Sequence, residues 1–170
     1  MRIPVVILFV VLFAVFACSE HTKEAISKTV NWESREAKTE TGQLLFQGSS
    51  YLSVYSEIYD MSDETKHLLT ATVSLRNTSL TDSLFISKAD YYNTKGNLIR
   101  SYVETPIYLV PMETVEIVIN RRDTLGGSGA NFIFDWATRV ETTDPIFESV
   151  MIWTTGTQGI SFLSKGVRLK

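Results

Sequence analysis

From residue 49 onward, apolar and polar side chains alternate in short runs separated by turn residues. In the clearest run, 69–76, every second residue is apolar and the others are mostly Thr or Ser. A period of two sends one set of side chains into a core and the other into water, which indicates a β-strand with one buried face. Similar short runs occur at 51–59, 98–103, 115–120, 132–136, 146–153 and 159–163.

These runs predict an all-β domain over residues 49–170. No long run with a helical period separates them, so the strands are expected to pair antiparallel, as in a sandwich of immunoglobulin-like type with about eight strands. A small β-barrel is the alternative. The string 92–97 is expected to form a hairpin turn, with Gly96 at positive φ and a return strand from Leu98 to Val103.

The N-terminal residues have the pattern of an export signal. Arg2 precedes an almost unbroken apolar run, 5–17, which is shorter than the roughly 20 residues of a membrane-spanning helix. The string Val15-Phe16-Ala17-Cys18 resembles the lipobox of bacterial lipoproteins. That resemblance implies that residues 1–17 are a signal peptide that is removed, and that Cys18 carries the lipid.

Two alternatives stay open, because Phe16 is bulkier than the residue usual at its place in a lipobox. The chain would be secreted as a soluble protein if the signal peptide is cleaved without acylation of Cys18, or the apolar run would remain as an uncleaved anchor. We expect the lipoprotein, because acylation explains why the one cysteine of the chain directly follows the apolar run. By resemblance to lipoprotein sorting, Ser19 favours the outer membrane.

We therefore expect a protein of the cell envelope that faces the periplasm and contacts membrane lipid through acylated Cys18. Residues 18–48 are rich in Glu, Lys, Ser and Thr and have no sustained period, which predicts a polar, flexible tether. Trp32 is interpreted as an incidental aromatic residue in that tether.

Composition excludes several classes of partner. The formal net charge is −3 and the basic residues do not cluster, so nucleic acid is not an expected partner. A single cysteine excludes an internal disulfide, a thiolate zinc cage and an iron–sulfur site within one chain. We expect neither a metal nor a cofactor.

The most distinctive string is 123–132, DTLGGSGANF, in which three of four consecutive residues are glycine. Backbone N–H groups in such a string can converge on an anion or admit a ligand. The string lacks the Gly-Lys-Ser/Thr ending of a phosphate-binding loop, so we expect a wide turn between two strands, with ligand binding as the alternative. A second turn, at 154–159, has the same two interpretations. The candidate ligand-binding residues are Asp123, Gly126, Gly127, Ser128, Gly129, Asn131, Gln158 and Gly159.

Few residues offer catalytic chemistry. The acidic string 60–67 lacks the spacing of an EF-hand, and we expect a solvated connection there. We expect a non-enzymatic module that binds an envelope protein or a glycan through loops at one end of its sheets. The alternatives are a hydrolase using carboxylates such as Asp123 and Asp135, which would have to converge in a cleft, and a metal- or anion-binding sensor.

Five strings together resemble an uncharacterised family of small bacterial exported proteins, the domain of unknown function numbered thirty-one twenty-four. They are 54–59, 75–78, 90–92, 126–132 and 158–162. The resemblance spans about Tyr51 to Arg168. It implies no activity, and no catalytic residue is carried over from it.

Overall fold

The computed structural model describes residues 30–37, 46–155 and 157–170. The expected signal peptide and Cys18 lie outside these residues. Within them the chain forms twelve β-strands and two 3₁₀ turns, Glu33–Arg35 and Gly127–Gly129. The strands are β1 (Phe46–Val54), β2 (Glu57–Tyr59), β3 (Lys66–Leu68), β4 (Thr70–Arg76), β5 (Leu84–Tyr92), β6 (Leu98–Ser101), β7 (Ile107–Leu109), β8 (Thr114–Ile119), β9 (Ala130–Thr138), β10 (Ile146–Thr155), β11 (Gln158–Lys165) and β12 (Val167–Arg168).

The longer strands form two antiparallel sheets. The first sheet has the order β12-β1-β9-β5-β6, and β7 also pairs with β5. The second sheet has the order β11-β10-β4-β8, while β2 and β3 form a separate hairpin. Because both sheets end on unpaired edges rather than closing, the predicted all-β sandwich is confirmed and the alternative barrel is wrong.

The strand number exceeds the predicted eight because four strands, β2, β3, β7 and β12, have only two or three residues, too few to produce an alternating pattern of their own. The central pairs β4–β8 and β5–β9 match neighbouring strands of an immunoglobulin sandwich. The outer strands differ, since the first strand, β1, lies beside β9 and the late strand β10 lies beside β4. In an immunoglobulin domain, these places belong to the last and the first strand respectively.

Alternating residues of both sheets form the core. The apolar residues of the run 69–76 are fully buried, as predicted. Phe134 of the first sheet stacks on Phe147 of the second with a ring-centroid distance of 4.3 Å, and on Phe132 of its own strand at 5.4 Å. Stacked rings of this kind bury a large apolar area and hold the two sheets together.

The strands run between two ends of the sandwich. Phe46, where β1 begins, pairs with Thr138, and we call this the proximal end. Val54, where β1 finishes, pairs with Ala130 at the start of β9, and we call this the distal end. The chain therefore enters the first sheet at one end, and the loop between β8 and β9 lies at the other.

Residues 30–37 lie along the side of the sandwich where β7 and β8 are neighbours. Glu36 forms an isolated β-bridge with Ile107 of β7. Arg35 forms an ion pair with Glu113, which precedes β8, at 2.8 Å. The segment therefore joins an edge of the first sheet to an edge of the second.

Part of the predicted tether thus packs on the domain. Val30 and Trp32 are half-buried against the core, so Trp32 is not an incidental residue of a spacer. Ordered pairing also begins at Phe46, earlier than the predicted domain boundary at residue 49. The part of the chain that the structure describes contains no helix long and apolar enough to cross a membrane.

The predicted hairpin turn between β5 and β6 is confirmed. Gly96 has φ 77°, and the Asn93 N–H donates to the carbonyl oxygen of Asn97 at 2.9 Å. The return strand is shorter than predicted, since β6 ends at Ser101.

Candidate functional site

Several connections lie together at the distal end, namely the β2–β3 hairpin, the β5–β6 turn, the β8–β9 loop and the β10–β11 turn. His67 of β3 stacks on Trp153 of β10 with a ring-centroid distance of 4.2 Å. Arg121 of the β8–β9 loop donates to the carbonyl oxygen of Thr154 at 3.5 Å. Loops supported by rigid sheets in this way are frequent binding surfaces.

The glycine-rich string forms the turn between β8 and β9, as predicted, and two neighbouring connections bind it. The Thr94 hydroxyl donates to the carbonyl oxygen of Gly126 at 3.0 Å and accepts the Gly129 N–H at 2.9 Å. Both the N–H and the hydroxyl of Ser56 donate to the carbonyl oxygen of Gly127, at 3.2 and 3.0 Å. Because Ser56 is fully buried, this contact fixes the loop against the core.

Packing explains two of the glycines. A Cβ on Gly126 would overlap the Tyr91 hydroxyl and would lie 2.8 Å from the Cβ of Ala130. Gly127 has φ 75°, and a Cβ there would approach the Thr94 hydroxyl to 2.6 Å. Close approach and a left-handed backbone therefore account for both residues without a ligand.

Two backbone N–H groups of the loop already have hydrogen-bond partners. The Gly127 N–H donates to the carbonyl oxygen of Thr124 at 3.3 Å, and the Gly129 N–H donates to Thr94. An anion would have to replace both of these hydrogen bonds. Ligand binding by this string stays a prediction.

Asp123 is held by a half-buried cation. Arg100 Nη1 lies 3.2 Å from Asp123 Oδ2 and donates to the Tyr102 hydroxyl at 2.7 Å, and the side chains of Arg100 and Asp123 are only 14% and 16% exposed. The Tyr91 side chain beside them is fully buried. Burial, followed by the charge of Asp123, raises the pKa of the Tyr91 hydroxyl above its ordinary value. This cluster closes the distal end of the core.

Asp135 belongs to another part of the molecule, the outer face of the first sheet. Its carboxylate accepts a hydrogen bond from the Ser49 hydroxyl and pairs with Lys88 Nζ at 3.1 Å. Burial acts to raise the pKa of Asp135, but the hydrogen bonds from Ser49 and Lys88 outweigh it and hold the pKa below its ordinary value. A cavity of ≈ 580 Å³, which Asp135, Ser49 and Trp136 help to line, lies here.

Asp123 and Asp135 do not converge. Asp123 precedes the first residue of β9, Ala130, whereas Asp135 lies five residues farther along the extended strand, a further distance of about 17 Å. Each carboxylate has its own cationic partner. The described residues therefore do not assemble the pair of carboxylates on which the hydrolase alternative depends.

The remaining predicted residues lie close to the distal end. Ser128 is half-buried in the 3₁₀ turn. Asn131 is half-buried in β9, opposite Tyr92 of β5. Gln158 and Gly159 are exposed at the start of β11, on the edge of the second sheet.

The acidic string 60–67 forms most of the β2–β3 hairpin. The Asp60 N–H donates to the carbonyl oxygen of Thr65 at 3.0 Å, and His67 Nε2 lies 3.5 Å from Asp60 Oδ2. In the described ranges, no group of three or more His, Cys, Asp or Glu side chains is placed to hold a metal ion.

A cleft that sequence reasoning missed lies between residues 30–36 and the β6–β7 region, with a volume of ≈ 1100 Å³. Trp32 and Tyr102 contribute half-buried rings, and Glu33 and Glu104 contribute exposed carboxylates. The one feature of the sequence that could have indicated this cleft is Trp32, a large aromatic residue in an otherwise polar segment.

A protein-family model described as "Protein of unknown function (DUF3124)" matches residues 47–169. This range includes nearly all of the sandwich, with the glycine-rich string and β11. The chain belongs to the DUF3124 family. The resemblance seen in the five sequence strings is confirmed, and because the family description assigns no activity, a function for this DUF3124 protein has to be argued from its own residues.

One solved structure, the crystal structure of Thermotoga maritima 1070, is similar to this chain with a TM-score of 0.44 and 6% sequence identity. The similarity covers 71% of this chain and 92% of that chain. Comparison with curated proteins gives no significant match.

Proposed function

We propose that this DUF3124 protein is an envelope lipoprotein that uses its β-sandwich as a non-enzymatic binding module. The observation that carries the proposal is where the N-terminal segment meets the sandwich: Val30 lines a cleft with Thr114 and Val115 at the start of β8, and Phe46 begins β1 at the proximal end, both away from the β8–β9 loop. A domain tethered through Cys18 turns its distal loops away from the membrane. The distal end is then the surface that meets an envelope protein or a glycan.

The sequence of the N-terminal segment supports the tether. Cys18 directly follows an apolar run of signal-peptide length, and it is the one cysteine of the chain. Acylation of this residue would provide the membrane contact, since several acyl chains hold a protein on a bilayer far better than one. Ser19 supports an outer-membrane location facing the periplasm.

The chemistry of the described residues supports binding over catalysis. Asp123 and Asp135, the two carboxylates proposed for a hydrolase, are separately paired with Arg100 and Lys88. The distal loops, in contrast, are fixed to the sandwich by hydrogen bonds and have exposed side chains at their tips, such as Leu125, which is 53% exposed. Side chains presented in this way are typical of recognition surfaces.

Photo-crosslinking from two matched leucines tests the binding surface. A photoreactive amino acid replaces either Leu125 at the distal end or Leu80 at the proximal end, which is 77% exposed, in the full-length chain in living cells. We expect a discrete adduct with one envelope component from position 125 and none from position 80. No adduct from position 125, or the same adduct from both positions, would contradict the proposed surface.

Mass spectrometry of the protein from the same cells tests the tether. The expected result is a mature chain that begins at Cys18 and carries acyl mass on that residue. A mature chain that begins at Cys18 with an unmodified thiol would make the protein a secreted one and would contradict membrane tethering.

A further inference from the structure

Each sheet carries an ion pair on its outer face, Lys88 with Asp135 on the first sheet and Arg76 with Glu148 on the second. The outer face of the second sheet carries aliphatic side chains, and Val150, Ile152 and Leu163 are 44%, 42% and 60% exposed. Exposed aliphatic residues that adjoin one another on a sheet form a candidate interaction surface.

The strand register arranges this surface, which we call the second-sheet face, in rows that cross the strands. The middle row is Val118, Thr72, Val150 and Leu163, in the order β8, β4, β10, β11. The row on its distal side contains Thr70, Ile152 and Ser161. The row on its proximal side is Glu116, Ser74, Glu148 and Lys165. The proximal row therefore has a carboxylate at the β8 edge and an ammonium group at the β11 edge, and Glu148 between them forms an ion pair with Arg76 of its own chain at 3.3 Å.

A second copy of the chain fits this arrangement of charges. A twofold axis parallel to the strands, between β4 and β10, exchanges β8 of one copy with β11 of the other. Face-to-face packing about this axis places Lys165 of each copy over Glu116 of the other, and Leu163 over Val118. An interface of this symmetry forms every such contact twice. We propose that the second-sheet face is the interface of an isologous dimer.

The expected interface is small. Four strands about 4.8 Å apart and three rows about 7 Å apart give a face of roughly 14 Å by 14 Å between Cα positions. Side chains extend this area, but it remains below the roughly 800 Å² per partner of a standard interface. The dimer is therefore weak in dilute solution and is favoured where copies are concentrated, as on a shared membrane surface.

The direction of the axis agrees with tethering. An axis parallel to the strands points the proximal ends of both copies the same way, as anchoring in one membrane requires. This agreement rests on the proposed function, whereas the match of charges and aliphatic residues does not.

Crosslinking of the full-length chain in bacterial cells tests the dimer. The variants Val150→Cys and Val167→Cys each add one thiol, the first near the axis and the second on β12 of the first sheet, 62% exposed. A bis-maleimide that spans about 10 Å, the usual separation of packed sheets, should join two V150C chains. The V167C chain and the unaltered chain, which has only Cys18, should not form this product. No product from V150C, or equal yields from V150C and V167C, would overturn the proposal.

Charge reversal tests the contact itself. In the V150C chain, Glu116→Lys or Lys165→Glu alone should lower the crosslinked yield about fivefold, because two surface ion pairs become two repulsions. The double variant E116K/K165E restores the pair with its signs exchanged and should recover the yield. A double variant no better than either single variant would contradict a contact between these residues.

A matched pair of apolar substitutions completes the test. Leu163→Glu should abolish the V150C product, while Val167→Glu, at a similarly exposed position, should leave it unchanged. Yields unaffected by L163E would show random collision and overturn the dimer. Membrane fractionation of the same cells reports on the tether separately. Product in a soluble fraction would support the dimer and contradict tethering, and a membrane-bound chain without product would contradict the dimer alone.

Discussion

At Gly126 the chain has no room for a side chain, because the hydroxyl of Tyr91 and the Cβ of Ala130 occupy the space. Gly126→Ala should therefore lower the free energy of unfolding by about 1–3 kcal/mol, the usual cost of overpacking a core. Urea unfolding of the full-length chain measures this change in the free energy of unfolding. Gly159→Ala, where the nearest atom is the Trp153 carbonyl oxygen at 3.3 Å, is the control and should cost less.

Tyr91→Phe tests whether the Tyr91 hydroxyl causes the destabilisation expected for G126A. Removing the hydroxyl should recover part of the stability lost in G126A, while the remaining contacts with Ala130 Cβ and with the ring carbon Cζ of residue 91 keep the recovery incomplete. Strictly additive effects of the two substitutions would show that the hydroxyl is not the obstacle.

Asp135 gives the stability a predictable dependence on pH. Its pKa is lower in the folded protein than its ordinary value of 3.8, so its ionised form stabilises the fold above that pH. This contribution is lost as the pH falls through the folded pKa. Asp135→Asn should lower the unfolding free energy by less than about 1 kcal/mol near neutral pH, since the pair with Lys88 is part-exposed. The difference from the unaltered chain should shrink in acid, and a difference that stays constant with pH would contradict this role of Asp135.

At the scale of residues, the glycine-rich string could be picked out from the sequence, but the reason for its glycines could not. The string 126–129 was distinctive, yet its close packing depends on Tyr91, Ser56 and Thr94, which come from distant strands and turns. Ligand-binding chemistry and tight packing favour the same glycines. The sequence alone therefore could not separate these two causes.

Among the elements, strands with one buried face were predictable because their period of two is visible in the sequence, as in β4 and β8. Short strands such as β7 and β12 were not, because their pairing depends on tertiary contacts rather than on a pattern. Residues 30–37 were missed for a similar reason. Their polar composition resembles a spacer, and Val30 and Trp32 are the two large apolar residues among them that pack on the core.

Packing of this segment on the sandwich predicts that Trp32 stabilises the domain. Trp32→Ala should lower the unfolding free energy of the full-length chain by about 1–2 kcal/mol, less than for a fully buried tryptophan because the ring is half-buried. The exposed neighbour Glu33→Ala should change it by less than about 0.5 kcal/mol. Equal, small effects of both substitutions would mean that the segment contributes no stability.

For the whole molecule, the antiparallel sandwich could be predicted because alternating strands without crossover helices have few other solutions. The strand order could not, because β1 and β10 take places that pairing patterns do not encode. The strand arrangement places the start of β1 at the proximal end and the β8–β9 loop at the distal end. The proposed function depends on this separation, with the tether at one end and the binding loops at the other.

The depth of the two ends relative to the membrane tests this arrangement most directly. In the acylated full-length chain on vesicles, Leu80→Cys and Leu125→Cys carry the same environment-sensitive fluorophore, and nitroxide-labelled lipids quench whichever lies near the bilayer. The account predicts strong quenching at position 80 and little at position 125. Equal quenching at both positions, or stronger quenching at position 125, would contradict it.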